Sequence, residues 1–361
     1  MFDLYKSLKT YVPCDNEEKK NLELLNSFLN TSDNCFSRSN LAGHVTADAL
    51  IMDKNGNVLL NHHKSLDIWA FFGGHSDGEK DSLNVAKREV EEEAGITEVD
   101  DFGGKILDID VHSIPENILK KEPKHIHYNI RFLFVVNNHD FIISDESKEI
   151  KWVSFEEAMK LLENTNRLRS LNKAYNVYLR KYSQEEIFDV LNENGEFTGK
   201  IATRDMCHKK GLWHRAVYAF ILDDNNNILL QKRSPNKKLW PNLWDAPIGG
   251  HVDSGEFGRQ AIIREAKEEL GIEISDDDIK YLVGSTSINE KGDIINKHFN
   301  ECYLITKSFD ISKVKLQEDE VSEIKFFAKD EILKRISNNY EGLTTKIGVW
   351  NFLQKILEIY L

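Results

Sequence analysis

Four cysteines in 361 residues, Cys14, Cys35, Cys207 and Cys302, form no C-x-x-C pair and are scattered over nearly the whole length. That spacing rules out a disulfide framework or a zinc ribbon and reads as reduced thiols in a cytoplasmic protein. No apolar run reaches 18 residues, so no helical membrane span is expected. The opening MFDLYKSLKTYVPCDNEEKK lacks the apolar stretch of a secretory leader. A positive surplus is missing as well. Lys and Arg number 47 against 60 Asp and Glu, a net charge of −13. This argues against binding a nucleic-acid polymer or an anionic membrane, since both need clustered cations. A small phosphorylated ligand stays open, because a metal ion can neutralise it locally.

What is present is dominated by one stretch, Gly250 to Ile272, GHVDSGEFGRQAIIREAKEELGI. Ala261, Ile262, Ala266 and Leu270 supply the apolar stripe of a helix that Gly271 is placed to end. Glu265, Glu268 and Glu269 then stand at i, i+3 and i+4 on one face. Like charges at that spacing repel by roughly 0.2–0.5 kcal/mol, and acids in the last helical turn oppose the dipole. Taken alone, the trio suits a solvated acidic face as well as a cation site. As a cation site, its all-oxygen donors suit a hard divalent ion, Mg2+ or Mn2+, which usually serves phosphate chemistry.

The chain also repeats itself. His44 opens HVTADALIMDKNGNVLL and His214 opens HRAVYAFILDDNNNILL, an offset of 214 − 44 = 170. Gly74 matches Gly250 and Arg88 matches Arg264, both at an offset of 176, so the second copy has a longer intervening loop. DESKEIKWVSFEEA (145–158) parallels EDEVSEIKFFAKDEI (318–332). A period near 170 residues indicates duplicated domains rather than a solenoid. The boundary is expected near residues 180–183, giving domains 1–181 and 182–361. The connection there is neither Pro- nor Gly-rich, so the copies are expected to touch. Two amphipathic helices separated by Pro13 precede the first copy within residues 1–41, with Asp15 as a candidate cap. An Asn-Gly hairpin is expected over 43–63, a helix over 168–182 and a terminal helix over 349–361.

Gly250, Glu256, Arg264-Glu265, Glu268-Glu269 and Gly271-Ile272 match the Nudix box, G-x5-E-x7-R-E-U-x-E-E-x-G-U, at every fixed position; Ala266 stands where a larger aliphatic is usual. The chain therefore resembles a tandem Nudix hydrolase. The resemblance implies an α+β fold, an α/β/α sandwich with a mixed sheet, present twice. It also implies hydrolysis of a diphosphate linkage in a nucleoside diphosphate joined to another moiety. Mg2+ or Mn2+ would be held by Glu265, Glu268 and Glu269, and in the first copy by Glu89, Glu92 and Glu93. Arg264 and Arg88 are expected to orient Glu265 and Glu89. Gly73, Gly74, Gly249, Gly250, His251 and Arg233 are candidates for substrate contact, with Lys232 and Lys237 beside them. Glu301 and Glu320 are candidates for a further acid. A homodimer and an internal pseudo-dimer both suit such paired domains.

The first copy departs from the box, with Lys80 at the loop-acid position and Glu79 one place early. Either Glu79 substitutes through a different turn and the copy stays active, the reading preferred here, or the copy mainly binds. KHIHYNIRFLFVV (124–136) reads as a strand with His125 and His127 on one face, candidates for substrate phosphate, and Tyr128, Ile130 and Phe132 on the other. This copy resembles bacterial Nudix hydrolases with a helical N-terminal extension.

The second copy, over 195–222 and 229–251, resembles the Nudix branch that includes type I isopentenyl-diphosphate isomerase. That resemblance implies metal-binding histidines at His208, His214 and His251. It also implies a catalytic cysteine where this chain has Gly249, in P-I-G-G-H. Glycine has no thiol, so hydrolysis is preferred over isomerisation. A non-catalytic ligand-binding protein is the remaining alternative.

Overall fold

The computed structural model describes residues 2–116, 123–162, 164–223, 225–237, 239–305, 311, 314, 316–317, 319–344 and 347–360. Glu318 of the second repeat motif and Leu361 of the terminal helix lie outside them. The chain divides into two compact units, Met1–Tyr182 and Ser183–Leu361.

Unit 1 opens with α1 (Leu4–Thr10) and α2 (Asn16–Thr31), capped by the side chains of Asp3 and Asp15, which accept from the amides of Lys6 and Glu18. β1 (Gly43–Asp53) and β2 (Val58–His63) make the hairpin, and β3 (Ile68–Ala70) and β4 (Phe72–His75) follow. Next come α3 (Ser82–Ala94), β5 (Ile106–Ile114), β6 (His125–Val136), β7 (Ser147–Val153), α4 (Phe155–Leu161) and α5 (Thr165–Tyr182). All seven strands form one mixed sheet in the order β3-β2-β1-β6-β5, with β4 paired to β1 and β7 to β2. β1 and β6 run parallel, with His44 opposite His127 and Ala47 opposite Ile130.

Strand alternation sends Val45, Ala47, Ala49, Ile130 and Phe132 to a core shared with α1, α2 and α3. Leu50, Met52, Leu133 and Val135 face the other way, against α4 and α5. Helices therefore cover both faces of the sheet. At about 25 cal/mol per Å2 of apolar area, the buried Val, Leu, Ile, Phe and Met side chains among these each stabilise by roughly 1.5–3 kcal/mol. α2 adds a buried carboxylate: Glu18 accepts from Lys173 of α5 at 2.6 Å and from the Cys14 amide at 2.7 Å.

Unit 2 opens with the hairpin β8 (Ile187–Leu191) and β9 (Phe197–Thr203), then α6 (Arg204–Lys210), β10 (Trp213–Ile221), β11 (Ile228–Arg233), β12 (Trp244–Asp245) and β13 (Ile248–His251). It continues with α7 (Gly258–Leu270), β14 (Ile279–Lys291), β15 (Ile294–Ile305), β16 (Val321–Phe327), α8 (Lys329–Ser337) and α9 (Ile347–Tyr360). β10 and β15 repeat the parallel register of unit 1, with His214 opposite His298. Here the strands form two sheets, β14-β15-β10-β8-β9 with β13 on β10, and β12-β11-β16. The split falls between β10 and β11, where among the described residues an isolated Leu222–Ile228 bridge follows β10, whereas β1 and β2 pair as a ladder.

Candidate active site

α7 forms because Ala261, Ile262, Ala266 and Leu270 are fully buried beneath it, and it ends on Gly271 in the left-handed conformation at φ 63°. The same packing turns Glu265 and Glu269 inward, each 8 % exposed, and leaves Glu268 at the surface. Glu265 lies flat against β13. A Cβ on Gly250 would come within 2.0 Å of its Oε1, so any side chain at residue 250 would displace the carboxylate. Gly74 has the same relation to Glu89 in unit 1, at 2.5 Å. Glu269 accepts weakly from the Gly249 amide and from Gln231, both at 3.4 Å. Glu93 does so from the Gly73 amide at 3.4 Å and from Asn61 at 3.1 Å.

Arg264 organises the unit 2 acids. Its guanidinium donates to Glu265 at 2.8 Å, to the His251 carbonyl at 2.9 Å, to both oxygens of Glu256 at 3.0 and 3.2 Å, and to Glu268 at 3.4 Å. In unit 1, Arg88 reaches Glu89 at 2.9 Å and the His75 carbonyl at 2.8 Å. The expectation that Glu79 takes over the loop-acid position is not met. Glu79 accepts instead from Asn84 at 2.6 Å, and the buried Nε of Arg88 has no hydrogen-bond partner. An acid one residue early points along the turn toward the start of α3, away from the arginine.

Burial pushes the Glu265 carboxyl up to about 7, against the lowering pull of Arg264 and with Glu268 adding to the rise. Glu89 is likewise pushed up to about 7, and Glu93 to about 8, burial leading in both. Carboxyls this costly to ionise share one helix with a third, exposed acid, and all-oxygen donors of this kind suit a hard divalent cation.

In unit 2 these acids open into a cavity of about 770 Å3. Glu265, Glu268, Glu269, Gly249, Gly250 and His251 line it on one side, and Arg204, Arg233 and Lys237 supply cations. Arg233 is braced by the Leu239 carbonyl at 3.1 Å and Asp245 at 3.4 Å, and Lys237 is ion-paired to Glu320. Two candidates fall elsewhere. Lys232 pairs with Glu323 at 3.7 Å, and Glu301 accepts from Tyr303 beneath the start of α7, beside Gly258.

Histidines form a second set in each unit. His208, His214, His251 and His298 bring one nitrogen each within 4.8 Å of one another, and so do His44, His75, His125 and His127. Burial pushes His127 down to about 2 and His208 and His214 to about 4, holding them neutral. His125 and His127 share a face with Asn129, opposite the buried Tyr128, Ile130 and Phe132. They lie on the His75 side of β4, and Glu89 is on the Gly74 side, whereas in unit 2 His208, His251 and His298 line one cavity with Glu265, Glu268 and Glu269. His44, His75 and His298 were not singled out from the sequence. Their signal was in the repeat, which aligns His44 with His214 and His75 with His251. Asn61 and Gln231 were also missed, though both follow the paired leucines at the common offset of 170.

A family model described as "NUDIX domain" matches residues 42–175 and 212–346, well over half of the chain. Nudix hydrolase 3 of Arabidopsis thaliana is 35% identical over 152 residues, 41% of this chain, which spans only 20% of that protein's length. A Nudix hydrolase of Listeria monocytogenes, described as uncharacterized, is 36% identical over 148 residues, covering 41% of this chain and 82% of that protein. A crystal structure of a Deinococcus radiodurans protein aligns with a TM-score of 0.37 and 25% identity, over 45% of this chain and 94% of the other.

Proposed function

This chain belongs to the Nudix family, with two Nudix domains in tandem and the hydrolase character of its relatives, and from that premise we propose that unit 2 is a pyrophosphohydrolase site acting on a nucleoside diphosphate linked to another moiety, and that unit 1 is a second and weaker one, because it keeps the three metal-binding glutamates though not the loop acid. One observation carries the reading: in each unit a helix sets two glutamates inward and a third at the surface, the first of them against the second glycine of a Gly-Gly strand, and in unit 2 these acids line a cavity that Arg204, Arg233 and Lys237 also line. Glu265, Glu268 and Glu269, and Glu89, Glu92 and Glu93, would hold Mg2+ or Mn2+. Such an ion, when bound, offsets phosphate charge and lowers the pKa of water.

The chain's own groups do the rest. Arg264 fixes the Glu265 carboxylate through a charge-assisted hydrogen bond while anchored to the His251 carbonyl and Glu256. Gly250 lets β13 approach that carboxylate without a side chain between them. Arg233 and Arg204 present donors to a phosphate in the cavity. A glutamate of the box, or of a later loop, takes the proton of the attacking water.

Gly249 argues against prenyl-diphosphate isomerisation in unit 2 on two grounds. It carries no thiol, and a Cβ there would meet the Tyr218 ring at 2.9 Å. Cys207 and Cys302 do not replace it, since both are buried and burial pushes each thiol up to about 12.

The experiment is a panel of nucleotide sugars, dinucleotides, oxidised nucleotides and ADP-ribose with Mg2+ and with Mn2+, scored for phosphate-containing products. Isopentenyl diphosphate is run alongside and scored for dimethylallyl diphosphate. Metal-dependent phosphate products are expected from the panel. Turnover of isopentenyl diphosphate alone would overturn the proposal.

A further inference from the structure

We infer that unit 1 carries a second cation site, separate from its carboxylates, in which His44, His75, His125 and His127 hold one transition-metal ion of the Zn2+ class. The four ligand nitrogens lie within 4.8 Å of one another and come from three strands. Register builds the group: His44 of β1 is opposite His127 of β6, Thr46 is opposite His75 of β4, and His125 precedes His127 by two residues on the same face.

The rings are held for ligation. The Nδ1 of His125 bonds the Pro123 carbonyl at 2.8 Å, which makes Nδ1 the protonated nitrogen and leaves the lone pair on Nε2. That Nε2 stands 3.1 Å from the Nε2 of His127. A tetrahedron with metal–nitrogen bonds of 2.0–2.1 Å has edges of about 3.3 Å. His44 is 3 % exposed, and its Nε2 has no hydrogen-bond partner. Four imidazoles with no carboxylate among them suit Zn2+ far better than Mg2+.

The site is distinct from the Glu89 site because His75 and Gly74 point to opposite sides of β4 and Gly74 abuts Glu89. With all four positions taken by protein, it is of the closed, structural kind. It would clamp β4, and so the Gly73-Gly74 backbone, to the parallel pair β1 and β6. Unit 2 places His214, His251 and His298 at the three corresponding positions, and its fourth histidine, His208, comes from α6 instead.

The test uses the full chain with His251→Gln and His298→Gln, which silences the unit 2 set. This chain is stripped of metal, returned to excess Mg2+ so that the carboxylates are satisfied, and titrated with Zn2+ alone. Elemental analysis should find one tightly held zinc per chain, and Zn2+ should raise the melting temperature. Adding His75→Gln and His127→Gln should remove both effects. X-ray absorption at the zinc edge reads the ligand shell without any unit 1 substitution, and nitrogen-only coordination at about 2.0–2.1 Å is expected. Zinc that is retained after the unit 1 substitutions, an oxygen-dominated shell, or no tight zinc at all would overturn the site and leave His125 and His127 as a hydrogen-bonded pair. None of these readouts depends on turnover, so the hydrolase reading stands or falls separately.

Discussion

Gly250 and Glu265 show how narrow the tolerance of this site is. The atom that a Gly250→Ala side chain would strike is the far end of a flexible carboxylate, so the fold can absorb the change by moving Glu265. We expect the variant to keep its stability within about 1 kcal/mol, since the strain is relieved at one side chain. Its unit 2 turnover should fall by roughly 100-fold, the scale on which site ligands and their supports act. A variant with unimpaired turnover would show that Glu265 does not work from its position on β13. Glu93 gives a pH test. Burial pushes its carboxyl from the ordinary 4.5 up to about 8, so between those values the unfolded chain binds fewer protons than the folded one. Metal-free stability therefore falls as pH rises through that window. His44, His127, His208, His214 and His251, shifted down by burial, act oppositely and cost stability below about 6.5. Comparison with Glu93→Gln isolates the glutamate: from pH 6 to 8.5 the parent should lose on the order of 2 kcal/mol relative to the variant in chelator. A pH-independent difference would mean that Glu93 is ionised without metal.

The helix and its preceding turn are where the two copies differ most. Spacing alone revealed α3 and α7, because their apolar stripes and terminal glycines are local signals. The Asn-Gly hairpin and the Asp15 cap were legible for the same reason. The fate of Glu79 was not, because one residue of turn register decides whether an acid faces an arginine eight positions on. Nor were Asn61 and Gln231, whose partners Glu93 and Glu269 lie 32 and 38 residues away in sequence. The histidine sets depend on parallel pairing between strands about 80 residues apart, which no local pattern specifies. At this scale, Lys80→Glu should give the buried Arg88 Nε a partner. An increase of about 1 kcal/mol in unit 1 stability is expected, checked by chemical denaturation, because a buried donor would gain a charged acceptor. No gain, or a loss, would show that the unit 1 turn cannot bring residue 80 to the arginine.

For the molecule as a whole, the duplication is the main structural fact, and the carboxylate trio with its glycine strand is what both copies share. The copies are not equivalent. Unit 2 has an arginine that reaches the loop acid and a cavity of about 770 Å3 lined by its glutamates together with Arg204, Arg233 and Lys237, whereas unit 1 has an arginine missing one partner. Removing divalent metal should stop turnover while the far-ultraviolet circular dichroism spectrum stays folded, because the cores rest on apolar burial rather than on the ion. The most direct measurement is metal-dependent hydrolysis of the best panel substrate by the parent chain, by Glu93→Gln, by Glu269→Gln and by the double variant. The account predicts partial turnover in each single variant, with the larger loss from Glu269→Gln, and a loss of at least about 100-fold in the folded double variant. Turnover in the double variant equal to that of the parent would contradict it.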